Sequence, residues 1–346
     1  MRRLMILLIF ILLIPRTAYA ADYDLPELPE SAEEYMPADT ESFVEGLWYV
    51  IKSAIGNMQP IISQAAAQCL SCICIILFCS ITQGISGNAK SAVLLVSTVL
   101  ISVVLLQPAN SLIRISSQTI HEMTDYGNLL LPILTGTLAS QGAIGTSTAL
   151  YAGTALFVGL LNKLISVLII PLIYIYSCLC VCCCALQQPL LEELKKFVKW
   201  LIVWLLKTVL YVFIGYMGIT GVVSGTADAA AVRAAKLTIS GVVPVVGGII
   251  ADASETILVS AGLVKSSVGV YGMLAFISIL IGPFLKIGIP YLMLKGTGSV
   301  CMIFGVKESS KLIQDFAGAM GMILAMCGTV ALLLMISTVC FMRGIS

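Results

Sequence analysis

Ionisable residues set inside apolar tracts are the first candidates for chemistry in this sequence. Lys207, Lys286, Asp252 and Glu255 lie in such tracts, and Arg233 and Lys236 stand just before the one that holds the two acids. A charge at hydrocarbon depth is costly, so it ordinarily faces a cavity, a counter-charge or a partner. Asp252 and Glu255, three positions apart, would share a helical face and could pair with Lys265 or Lys286. The competing reading has the lysines snorkelling and the acids at the membrane interface. His121-Glu122-Met123-Thr124-Asp125 approximates a zinc-peptidase helix, with a carboxylate where a second histidine would stand. It holds the only histidine in the chain, and a hydrated surface helix is the default reading. Gly84 to Ser91 approximates a phosphate loop, but Ala89 replaces the glycine before Lys90. An apolar helix rather than a strand precedes it, so the backbone cradle lacks its setting.

Twelve cysteines form the other reactive set. Cys69, Cys72, Cys74 and Cys79 fall in one apolar tract and Cys178, Cys180, Cys182, Cys183 and Cys184 in another, with Cys301, Cys327 and Cys340 scattered. A disulfide scaffold would place them in extracytoplasmic loops, whereas these sit at membrane depth. There a cysteine serves as a small apolar residue that lets helices pack closely. Soft-metal or redox chemistry is the alternative, with no His or Met arrangement to strengthen it. No cofactor is expected.

These residues belong to a chain of 346 residues that is 59% hydrophobic and 11% charged. Its mean hydropathy is +1.04. Soluble domains carry about 25% charged residues, so two soluble domains are excluded, and so is a disordered chain. Lys+Arg 19 against Asp+Glu 18, with no basic stripe, argues against nucleic acid as a partner. The composition specifies an all-α, polytopic helical membrane protein with the lipid bilayer as its solvent.

Residues 1–20 combine Arg2 and Arg3, the apolar run Leu4 to Ile14 and Ala18-Tyr19-Ala20, the pattern of a cleaved secretory signal peptide. An uncleaved N-terminal anchor is the rival, and both put the next segment outside the cytoplasm. Residues 21–58 form an acidic extracytoplasmic leader, with nine acids from Asp22 to Glu45 and no base before Lys52. Pro26, Pro29 and Pro37 predict an extended first part. Phe43, Leu47, Val50, Ile51, Ala54 and Ile55 predict a short amphipathic helix at the membrane surface. The leader is read either as a solvated linker or as an acidic docking tail.

Residues 59–346 are the polytopic transmembrane domain. Strong spans are predicted at 61–83, 92–107, 164–186, 201–223, 268–294 and 316–342. Leu112, Ile115, Ile120 and Met123 suggest a surface helix between Pro108 and Gly127. Residues 129–161 and 237–264 are apolar but interrupted, as re-entrant pairs, broken helices or tight spans would be. The Lys195, Lys196 and Lys199 cluster should be cytoplasmic, which requires an odd number of crossings before it.

An internal repeat at an offset of 112 relates about 92–187 to 204–299. Pro132 maps onto Pro244, Gly136 onto Gly248 and Pro171 onto Pro283 without a gap. Coincidence is the competing account. Paired Pro/Gly-broken segments in two halves point to a pathway or an interface. The candidate residues are therefore Pro132, Gly136, Arg233, Lys236, Pro244, Gly247, Gly248, Asp252, Glu255 and Lys286.

Arg233-Ala234-Ala235-Lys236, then Val242-Val243-Pro244-Val245-Val246-Gly247-Gly248, then Ala251-Asp252-Ala253 and Thr256, resembles the stage III sporulation protein AE family. Leu130-Leu131-Pro132, the signal-like start and the acidic leader agree with that family's plan, over most of residues 60–340. The resemblance implies a non-enzymatic membrane subunit of a channel or secretion-type complex that links mother cell and forespore. It implies residence in the mother-cell-derived outer forespore membrane. Implied partners are other membrane and ring-forming proteins of the same operon, a secretion-type ATPase and a forespore membrane channel protein. A stand-alone secondary transporter or permease is the alternative that the broken repeats suggest, and an intramembrane enzyme using His121 or the cysteines is a remote third.

Overall fold

The computed structural model describes residues 26–37, 42–85, 90–140, 144–219 and 267–344, and every regular element among them is helical. Two short helices, α1 (Glu30–Glu33) and α2 (Phe43–Gly56), precede the long ones. The long helices are α3 (Met58–Ile85), α4 (Lys90–Ser140), α5 (Ile144–Leu164), α6 (Ile170–Leu186), α7 (Pro189–Ile219), α8 (Ser267–Cys301) and α9 (Lys307–Gly344). A π-helical turn, Ile165–Ile169, joins α5 to α6 so that the pair runs on as one rod. Six stretches among the described residues are long and apolar enough to cross a membrane; five of the strong predicted spans lie within them, and the sixth, 201–223, does so up to Gly218 and then runs beyond the described residues.

Lengths depart from the predicted plan. Helix α4 has 51 residues, about 76 Å at 1.5 Å per residue, against a hydrocarbon core of about 30 Å. It contains the predicted span 92–107, the predicted surface helix after Pro108 and the first part of the weak tract. The surface helix is therefore no separate element. Its apolar residues Leu112, Ile120 and Met123 are buried in the bundle core, which gives that face a protein partner instead of lipid headgroups. The described residues of the tract 129–161 are the end of α4 and most of α5.

Pro132 and Gly136 do not break α4, contrary to the expectation drawn from their types. A proline inside a helix forfeits one backbone hydrogen bond and crowds the carbonyl four residues before it. Leu130, Leu131, Leu134 and Leu138, all within 2% of full burial, hold the chain helical around that defect. The Thr135 and Thr137 hydroxyls donate to the carbonyls of Leu131 and Ile133 at 2.7 and 2.9 Å. Pro132 itself points to the outside of the bundle.

Helix α9 is the axis of the bundle, packing on α4 through α8 and far more enclosed than any other long helix. Small residues admit its neighbours: a Cβ at Gly127 would meet Leu334 at 2.8 Å, and one at Gly321 would meet Tyr291 at 3.0 Å. Buried hydroxyl and thiol pairs add directional contacts, Ser97 with Ser309 at 2.9 Å, Cys327 with Ser116 at 3.3 Å, and Thr154 with Ser337. Such pairs suit a low-dielectric interior, where an unpaired polar group is costly.

The leader is part of the bundle over its described residues. The Pro-punctuated stretch, expected to be extended, contains α1, and Ala32 and Tyr35 are buried. Tyr35 fills the notch left by Gly282 on α8, and Ser31 donates to Glu122 on α4 at 2.7 Å. Burial, with the Glu34 carboxylate beside it, pushes the Tyr35 phenol above its usual range. Helix α2 lays Phe43, Gly46, Val50 and Ala54 against the core, with Gly46 under Leu274 of α8.

Candidate functional site

The ion pairs among the described residues converge where α6 ends and α7 and α9 begin. Helix α6 stops at Gln187, which takes a left-handed conformation (φ 53) and donates its amide to the Cys183 carbonyl at 3.0 Å. Pro189 then opens α7 at a position where its missing amide is not needed. This short reversal brings the first two turns of α7 against the first turns of α9. Lys195 of α7, with 4% of its side chain exposed, donates to Asp315 of α9 at 2.6 Å. It also pairs with Glu192 at 3.0 Å, and Glu192 reaches Lys311 of α9 at 3.1 Å. A cavity of about 330 Å³ opens beside this chain of charges, lined by its members together with Cys180, Cys183 and Cys184 of α6.

A buried ammonium with two carboxylates ties α7 to α9 and fixes their register, because moving either helix leaves a charge without a partner. Lys196 and Glu193, paired at 2.7 Å but both largely exposed, are screened by water and contribute little to that registry. Sequence reading used Lys195 only for orientation and passed over Asp315, which stands one residue before a predicted span. The available signal was a lone carboxylate adjoining a 27-residue run without charge.

The sequence-derived candidates distribute differently. Arg233, Lys236, Pro244, Gly247, Gly248, Asp252 and Glu255 lie outside the described residues. Pro132 and Gly136 are on α4, and Lys286 is exposed on α8. Gly272 packs on Leu130, so Lys286, fourteen residues further along α8, lies roughly 20 Å from the Pro132 level. The structure does not bring Lys286 together with Pro132 and Gly136. His121 and Asp125 are exposed on α4, while Glu122 between them accepts from Ser31 and Gln118. Eight cysteines are buried and no two of the twelve are joined in a disulfide; Cys184 meets the Thr98 hydroxyl at 3.1 Å as a packed polar contact between α6 and α4.

Six membrane-length stretches among the described residues, one of them the buried axial helix, tied by an ion-pair chain at one end, define a multi-pass helical membrane protein. The chain belongs to the stage III sporulation protein AE family, which it matches over residues 39–344. It is similar to the stage III sporulation protein AE of Bacillus subtilis (strain 168), with 28% identity over 224 residues, 62% of this chain and 55% of that protein. The chain thus spans about half the length of the curated relative it matches. No solved structure matches it.

Proposed function

We propose that this chain is a non-enzymatic membrane subunit of a sporulation-specific channel or secretion-type complex that links mother cell and forespore and is required for late forespore development. The family match over residues 39–344 is the observation that carries the reading. In this reading it resides in the mother-cell-derived outer forespore membrane. It assembles there with other membrane and ring-forming proteins of its operon, a secretion-type ATPase and a forespore membrane channel protein. Two features of the molecule support a subunit role. The rods α4 and α5–α6, about 76 and 65 Å long, exceed a hydrocarbon core of about 30 Å and so reach beyond the membrane. Their shared stretch Tyr126 to Asn162 contains no charged residue, which suits contact with other proteins rather than free solvation.

Affinity purification of the intact protein from sporulating cells tests the reading, together with a reporter of late forespore gene expression in cells lacking it. Recovery of operon partners and loss of the reporter signal are expected. Recovery of the protein alone, with solute transport in proteoliposomes, would instead establish the stand-alone transporter.

A further inference from the structure

The helix α2 has two apolar faces, and only one of them is used inside the bundle. Phe43, Gly46, Val50 and Ala54 form the buried face against α8. Val44, Trp48 and Ile55, at spacings of four and seven, form a second stripe that is 61, 68 and 61% exposed, and Ile51 falls on the same line. At 100° per residue, Glu45 and Lys52 lie opposite the packed face, with the stripe between the two. Half-exposed Tyr49 lies beyond the charges. Two pure surfaces, one apolar and one charged, therefore adjoin on the outside of a helix that already has its protein contact.

From this geometry we infer that Val44, Trp48, Ile51 and Ile55 seat in the headgroup–acyl boundary of the bilayer, so that α2 is an interfacial helix clamped to the bundle. Three observations select lipid as the occupant. Asn57 alone separates α2 from α3, so the stripe sits at the end of a membrane-length helix. Large apolar residues of α3 are themselves exposed, with Ile62, Leu70, Phe78 and Ile81 all outward, so an apolar surface suited to lipid begins directly after the stripe along the chain. Trp48, the most exposed side chain of the stripe, is of a type that membrane interfaces favour. Of the residues that sequence periodicity assigned to the membrane, Phe43, Leu47, Val50, Ile51, Ala54 and Ile55, the bundle takes Phe43, Val50 and Ala54, and lipid takes Ile51 and Ile55 together with Val44 and Trp48. The leader thereby holds α8 and the bilayer at once, which fixes the depth of α8.

The chain contains three tryptophans, Trp48, Trp200 and Trp204, so W200F/W204F leaves Trp48 as the sole emitter. The full-length variant would be placed in phosphatidylcholine vesicles brominated either near the headgroup or near the chain end. Blue-shifted emission is expected, losing most of its intensity to the shallow bromines, less to the deep ones and least to aqueous iodide. Iodide quenching that matches or exceeds the lipid quenching would put the stripe in water and overturn the inference. Resistance to every quencher would mean that protein covers the stripe, and stronger quenching by deep bromines would mean a span rather than an interfacial helix. Either result overturns it as well. The same quenching measured as the difference between the unaltered chain and W48F gives the answer without the double variant.

Discussion

Lys195 illustrates what a single buried charge requires of its surroundings. Its ammonium lies 2.6 Å from Asp315 and 3.0 Å from Glu192, nearly out of contact with solvent. Removing one partner of such a pair leaves the other uncompensated, whereas replacing both by apolar groups can be neutral. D315N is therefore expected to destabilise the protein by about 3–5 kcal/mol, seen as a lower Tm of the detergent-solubilised chain. K195M/D315L is expected to recover most of that loss, and a double variant no better than D315N would show that the pair is not the registry element. Gly153 gives a second test at this scale. A Cβ there would collide with the ring of Tyr216, whose hydroxyl donates to the Ala149 carbonyl at 2.9 Å. G153A should cost about 1–3 kcal/mol by overpacking, and Y216L should relieve it in the combined variant.

At the scale of elements, the continuity of α4 through Pro108 and Pro132 is the informative result. Burial on one side outweighs a local backbone defect on the other, so element length follows packing rather than residue type. P132A restores an amide donor on the exposed side of an otherwise intact helix. It should raise stability, by up to about 3 kcal/mol, without loss of membrane insertion. Thermal denaturation and membrane fractionation check this; a fall in stability would show that α4 needs the proline's shape.

For the molecule as a whole, three long rods, α3, α4 and α5–α6, precede the Lys195 cluster. One crossing by each gives the odd number that an outside leader and an inside basic cluster require. A reporter at Glu45 should therefore mark the extracytoplasmic side and one at Glu193 the cytoplasm. Thiol labelling of single cysteines at these sites, in a background depleted of the twelve native ones, checks it. Both positions on one side of the membrane would refute the arrangement.

Class and the placement of the membrane-length helices were written in the sequence because they depend on local quantities. An apolar run of about 20 residues has the length and composition of a membrane helix whatever surrounds it. The block from Arg233 to Thr256 carried the family for the same reason, since it is a contiguous pattern. Contacts across the chain had no such local trace. Lys195 meets Asp315 across 120 positions and Ser31 meets Glu122 across 91, and neither pairing follows from spacing. The leader's acidity suggested solvation, yet its apolar minority, Ala32, Tyr35, Phe43 and Val50, found a complementary surface on α8. Proline and glycine suggested breaks in α4, yet the free energy of burying its leucines overrode them. Local periodicity shows which helices exist; which face of each meets protein, and where each helix stops, is set only when all of them pack together.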